Sequence, residues 1–321
     1  MLDACGRQIN YLRVSVTDKC NLRCCYCMPD GVELIPMQDL LTMEEITRIV
    51  SCGVKLGIDR VKLTGGEPLV RRGIVELMRL LAGVEGLSQV TMTTNGILLR
   101  RYLSDLIRYG LSAVNISLDS MDREVYRDIT GFDALDEVLA GIDAAVSAGL
   151  RVKVNAVLLE DKNPAAWQDL ILLAKDMPLD VRFIELMPIG EGADMKGVSG
   201  DMLLGQIEAA YPNLAADGSV HGNGPAVYYR IPGFQGGIGF ISAMHHKFCS
   251  SCNRVRLTAT GQLKPCLCYA DSTDLREILR TRGDAAVLEA MEAAIYGKPA
   301  AHCFEMKEKI TEDHLMSSIG G

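Results

Sequence analysis

Cys20-Asn21-Leu22-Arg23-Cys24-Cys25-Tyr26-Cys27 comes directly after the β-branched run Tyr11-Leu12-Arg13-Val14-Ser15-Val16-Thr17, and the two together decide how the chain is read. A strand that ends in a loop with cysteines at three- and two-residue intervals offers three thiolates from one short segment. Iron–sulfur clusters are held by cysteine thiolates, four in the usual case, so a four-iron cube held by three keeps one iron open for chemistry. Structural zinc wants four ligands, typically from paired cysteines, and no matching second pair lies nearby. The spacing points to a [4Fe–4S] cluster on Cys20, Cys24 and Cys27.

Outward from this loop, short apolar runs alternate with stretches whose apolar residues recur every three or four positions, the pattern of a βα repeat. Strands are predicted at 11–17, 60–64, 89–94, 113–118, 151–158 and 181–186. Helices are predicted at 42–56, 74–81, 102–109, 135–148 and 167–175, the first opened by Thr42 with Glu45 three residues on. Alternating strands and helices build a parallel sheet. Six units predict an α/β fold, an incomplete (β/α)6 TIM-like barrel over residues 1–190, with an open doubly wound sheet as the alternative. In such barrels the loops at the carboxyl ends of the strands form the active site. Gly65-Gly66-Glu67-Pro68, Thr93-Thr94-Asn95-Gly96 and Ser117-Leu118-Asp119 fall there, as the cysteine loop does.

After Gly190 the sequence turns rich in Gly and Pro, and a β-rich extension is predicted over 191–321, with a helix at 202–210 and strands at 227–231 and 239–244. It carries a second triad, Cys249, Cys252 and Cys266. A zinc ribbon with Cys268, His245 or His246 as fourth ligand stays open here. Arg254-Val255-Arg256 comes directly after Cys252 and its neighbour Asn253, and arginine forks suit polyphosphate recognition. The net charge of −8 argues against a nucleic-acid or anionic-membrane binder, which needs a basic face. No apolar run is long enough to span a membrane, and without a signal-like start a cytoplasmic protein is expected.

The cysteine loop with Tyr26 before its third cysteine, and the Gly-Gly-Glu-Pro turn, resemble the radical S-adenosylmethionine superfamily. Over nearly the whole chain the sequence is similar to the GTP 3′,8-cyclase family. The similarity includes Gly6-Arg7, the run from Leu12 to Cys20, Cys27-Met28-Pro29, Arg182-Phe183-Ile184-Glu185-Leu186-Met187, the second triad with its arginines, and the terminal Gly320-Gly321. The resemblance implies two [4Fe–4S] clusters, the second on Cys249, Cys252 and Cys266, and S-adenosylmethionine as cofactor. It implies cofactor contacts at Tyr26, Gly66, Ser117 and Met187, with the Gly66 backbone close to the cofactor's amino group. GTP contacts are implied at Arg13, Lys62, Thr93, Lys153, Arg254, Val255 and Arg256, with Arg182 a further candidate and the guanine at the second cluster. Arg13 and the tail Gly320 and Gly321 take catalytic roles.

By the same resemblance, an adenosyl radical removes hydrogen from ribose C3′ and the carbon radical attacks guanine C8. The product passes to a cyclic pyranopterin monophosphate synthase in molybdenum cofactor biosynthesis, and the protein is expected to be a homodimer. Lys62 stands where the family commonly has arginine. The two clusters are expected to face each other across one barrel mouth. A peptide-modifying radical enzyme with an auxiliary cluster, and a non-catalytic iron–sulfur or zinc protein, are the competing readings.

Overall fold

The computed structural model describes residues 1–28, 31–312 and 315–319; Pro29, Gly320 and Gly321 lie outside the described residues. In chain order the first part comprises β1 (Tyr11–Ser15), α1 (Met43–Lys55), β2 (Arg60–Thr64), α2 (Ile74–Ala82), β3 (Gln89–Thr94), α3 (Leu99–Arg108), β4 (Leu111–Ser117), α4 (Arg123–Thr130), α5 (Leu135–Ser147), β5 (Arg151–Ala156), α6 (Trp167–Asp176) and β6 (Asp180–Ile184). Each of the six strands pairs in parallel with the next. The predicted strands are all present, in the predicted order. Helix α4 was not anticipated: it is short, and its signals are an Asp122 side chain accepting from the Glu124 and Val125 N–H groups and a Gly131 at φ 77° closing it.

The remainder comprises α7 (Gly200–Ala210), β7 (Ala215–Asp217), β8 (Val227–Arg230), β9 (Ile238–Ile241), β10 (Arg254–Leu257), β11 (Gln262–Lys264), β12 (Thr273–Asp274), α8 (Leu275–Arg282), α9 (Asp284–Tyr296) and α10 (Met316–Ile319). These strands extend the first sheet. Strand β10 joins β1 in parallel and β9 joins β6 in parallel, giving one sheet ordered β12-β11-β10-β1-β2-β3-β4-β5-β6-β9-β8-β7. Strands β1 and β6 are not neighbours, so the six-strand barrel is incomplete, and residues 242–253 run from one flank to the other.

Side chains in a strand alternate between its two faces. Leu12, Val14, Val61, Leu63, Val114, Ile116, Val152, Val154 and Val181 are buried in one core with the helices. That core includes Met291 of α9, whose terminal methyl would lie 3.3 Å from a Cβ placed at Gly53 of α1; the glycine allows this close approach. Helix α1 opens with a complete capping box, in which the Glu45 N–H donates to Thr42 Oγ1 (3.1 Å) and the Thr42 N–H to Glu45 Oε2 (2.9 Å). Replacing Thr42 by Ala is expected to lower stability by about 1 kcal/mol. A urea midpoint that does not move would show that the cap contributes nothing.

Candidate active site between two cysteine triads

The strand residues that do not face the helices face a single cavity of about 380 Å³. Arg13, Lys62, Thr93, Lys153 and Arg182 line it, together with Arg254 and Arg256. Register sets several of these side by side: Arg256 opposite Arg13, and Arg13 opposite Lys62. Val255, between the two arginines, is the exception among the expected contacts. Alternation turns its side chain into the helix-side core.

Crowding of buried like charges sets the chemistry of this wall. Burial, then Arg182 and Arg13, holds the Lys62 ammonium well below the usual lysine range. Burial, with Arg254 and Arg182 adding repulsion, brings Arg13 down to about 10. Arg256 is pushed well down by burial and by Arg13. Lys153 falls to about 8 through burial and Arg182, against an opposing pull from Asp180, whose carboxylate is 3.9 Å away. Asn115 and Asn155, which the sequence reading missed, are the neutral partners of this wall. Arg182 Nη2 donates to Asn155 Oδ1 at 2.6 Å. With its amide oxygen turned toward the cations, Asn115 accepts from Lys62 Nζ (2.6 Å) and Arg182 Nη2 (2.9 Å).

At the carboxyl ends of the strands, Cys20, Cys24 and Cys27 reach the cavity beside Tyr26, Gly66, Ser117 and Met187. Two buried carboxylates knit these loops together. Glu67 accepts from Thr94 Oγ1 (2.7 Å) and the Asn95 N–H (2.6 Å), and Asn95 Nδ2 reaches Asn21 Oδ1 at 2.8 Å in the cysteine loop. Asp119 accepts from the Tyr26 hydroxyl (2.7 Å) and the Val157 N–H (2.8 Å). Burial raises both acids, Glu67 to about 7 and Asp119 to about 6. The Gly66 site differs from expectation in its cause. A Cβ there would lie 2.5 Å from the Asp18 and Lys19 carbonyl oxygens, so glycine is needed where this turn presses on the chain entering the cysteine loop, before any ligand is considered. Near the end of the chain, Met316 lines the cavity and the Ser317 N–H faces the Cys27 sulfur.

The second triad lines the same cavity, but at its other end. Cys252 leads into the amino end of β10, which runs parallel to β1, whereas the first triad leaves the carboxyl end of β1. The expectation of two clusters across one mouth is therefore corrected. At about 3.3 Å per residue, the five residues of β1 separate the two triads by roughly 16 Å. Burial raises the Cys252 thiol, but Arg254 and Lys298 outweigh it and the net shift is downward. None of the expected zinc partners lines this cavity. His245 is tied to Glu185 (2.8 Å) and His246 to Asp201 (2.7 Å), and the Cys268 sulfur lies 3.3 Å from that of Cys303 in a separate small core.

Each triad offers three thiols, the donor type that holds iron–sulfur clusters. Burial raises the Cys24 thiol, with Asp119, Cys27 and Cys20 adding to the rise, and burial raises the Cys249 thiol, with Cys266 and Cys252 adding to it. Among the described residues, no three His, Cys, Asp or Glu side chains converge tightly enough for a single ion.

Comparison with known proteins agrees with this geometry. The Radical SAM superfamily model matches residues 14–174, and the Molybdenum Cofactor Synthesis C model matches residues 179–304. A GTP 3′,8-cyclase of Clostridium perfringens strain 13 is 45% identical with all of both chains covered, and one of Moorella thermoacetica is 44% identical over all of both chains. Among solved structures, Streptococcus suis SuiB bound to S-adenosylmethionine superposes with a TM-score of 0.66 at 12% identity, covering 96% of this chain and 76% of that one. That likeness is one of fold. The identity and full mutual coverage of the curated relatives, with two family models laid end to end, make this chain a member of the GTP 3′,8-cyclase family within the radical SAM superfamily.

Proposed function

We propose that this protein is itself a GTP 3′,8-cyclase of molybdenum cofactor biosynthesis, holding GTP between two [4Fe–4S] clusters. The observation that carries the reading is the single cavity with a thiol triad at each end and a wall of cations between them. Cys20, Cys24 and Cys27 would hold the first cluster, and Cys249, Cys252 and Cys266 the second. When bound, the first cluster supplies the electron that cleaves S-adenosylmethionine to methionine and a 5′-deoxyadenosyl radical.

The chain's own residues then bind, orient and exclude water. Tyr26, held by Asp119, borders S-adenosylmethionine together with Gly66, Ser117 and Met187. Arg13, Lys62, Lys153, Arg182, Arg254 and Arg256 neutralise the triphosphate, and Thr93 and the Val255 main chain complete the nucleotide contacts. Arginine provides bidentate forks for phosphate, while Lys62 and Lys153 act as point charges. Pinning the ribose within reach of the first triad aims hydrogen removal at C3′, and fixing the purine at the second triad brings C8 to the resulting radical. One electron from the external reductant and one proton complete the dihydro product. The Ser317 N–H of α10 faces Cys27; Gly320 and Gly321, which come after α10 in the sequence, take catalytic roles together with Arg13.

The same reading makes a cyclic pyranopterin monophosphate synthase the consumer of the product, the protein a homodimer, and the cytoplasm its location, where eleven free cysteines stay reduced. No helix among the described residues is long and apolar enough to cross a membrane.

Removing a buried, repelled charge is expected to stabilise the ligand-free protein while weakening the substrate complex. For Lys62→Met, thermal unfolding without nucleotide should move up by a few degrees. Its GTP affinity should fall roughly 10–100-fold, the loss of one charged hydrogen bond of about 1.5–3 kcal/mol. An unchanged affinity by calorimetry would remove Lys62 from the substrate site.

The pH dependence follows from Lys153. Its pKa is lowered to about 8, so the ammonium is lost as pH rises through that value, and a bound triphosphate restores it. GTP affinity should therefore weaken between pH 7 and 9, by at most about tenfold per unit, with uptake of a proton. Calorimetry in buffers of different ionisation heat measures that uptake. Pronounced uptake that persists in Lys153→Met would assign the proton to another group.

A further inference from the structure

Arg7 lies before the barrel begins, is 7% exposed and borders the cavity beside the second triad. An arginine carries five N–H donors, and here every one is used by the protein itself. Nε donates to Asp3 Oδ2 at 2.6 Å. Nη1 donates to the Cys249 and Ala300 carbonyls, each at 2.9 Å. Nη2 donates to the Lys298 carbonyl (3.2 Å) and the Pro299 carbonyl (2.7 Å). No donor of Arg7 is left over for an anionic ligand.

The carbonyl acceptors identify what the guanidinium holds together. The Cys249 carbonyl also accepts the Cys252 N–H at 3.2 Å, so Arg7 grips the oxygen that closes the turn between two thiols of the triad. On its other side Arg7 gathers 298–300, the strap that leaves α9. The chain leaving α9 reaches the triad twice more: Lys298 Nζ donates to the Pro265 carbonyl, next to Cys266, and just past the strap the His302 N–H donates to the Cys249 sulfur at 3.4 Å. Asp3 anchors the guanidinium from behind, accepting also from the Arg7 and Cys5 N–H groups at 2.9 Å. The Ala4 N–H donates to the Tyr296 carbonyl at 3.0 Å, latching the same N-terminal turn to the end of α9.

We propose that Arg7 is the positioning residue of the second metal centre: its planar fork joins the Cys249 turn to the 298–300 strap and so preforms the triad. The inference rests on the reading of that triad as a cluster site. Lysine cannot substitute, since three donors on one nitrogen cannot span four carbonyls and a carboxylate.

The test uses the full chain purified and reconstituted without oxygen, comparing wild type with Arg7→Lys and Arg7→Gln by iron and sulfide analysis and by electron paramagnetic resonance. Wild type should bind about eight irons, and the Arg7 variants about four. The variants should keep the change of signal caused by added S-adenosylmethionine and lose the change caused by added GTP. Asp3→Asn leaves the guanidinium but removes its anchor, and should release iron from the second centre to a chelator several-fold faster than wild type.

About eight irons in the Arg7 variants with both signal changes intact would overturn the inference while leaving the proposed function standing. Loss of both centres together would also overturn it, making Arg7 a residue of general folding. About four irons in wild type would overturn the two-centre reading and this inference with it.

Discussion

Six cations share the poorly solvated interior of one sheet, each repelling the others, and the fold is arranged to keep them there. Neighbouring strands lie about 4.8 Å apart, and two like charges about 6 Å apart in an effective dielectric of about 20 repel by about 3 kcal/mol. Side-chain alternation enforces the arrangement. Any register that buries Leu12, Val14, Val61 and Leu63 against the helices also commits Arg13 and Lys62 to the opposite face. The apolar layer outside thus holds the electrostatic strain inside, and an anion with several charges is the natural relief for it.

The ends of the cavity are built by different means. At the carboxyl ends of the strands, the buried acids Glu67 and Asp119 gather loop N–H and hydroxyl groups around the first cysteine loop. At the amino ends, cations gather the chain around the second triad. Chain segments distant in sequence converge there, held by Arg7 and Lys298 through carbonyl groups. The length of a strand lies between them. An extended nucleoside triphosphate, charged along one part and aromatic at the other, matches a wall of cations that runs toward the second set of thiols.

Much of this was legible in the residues. The six-strand core could be read because its strands alternate cleanly and its first helix carries a full capping box, and the two cysteine triads could be found because their spacings are local in sequence, whereas Arg13, Lys62, Thr93 and Lys153 were implied only by the family resemblance. What escaped depends on tertiary pairing. The C-terminal strands are short, and nothing in their own sequence says that β10 joins β1 while β9 joins β6. Without that pairing the two triads could not be assigned to opposite ends. Nor could local pattern reveal that Val255 points away from the arginines on either side of it, or that Gly66 is required by the backbone of residues 18 and 19. Asn115 and Asn155 gave no signal as single residues; their role exists only beside cations on neighbouring strands.

The separation of the two proposed metal sites is the most direct measure of this arrangement. Anomalous diffraction at the iron edge, from crystals of the anaerobically reconstituted protein grown with GTP, locates both. Two iron clusters at opposite ends of the strands, roughly 16 Å or more apart, with the triphosphate lying along Arg13, Lys62 and Arg256 between them, is the expected result. A single cluster, or two clusters on the same side of the sheet with the nucleotide outside the cation-lined cavity, would contradict it.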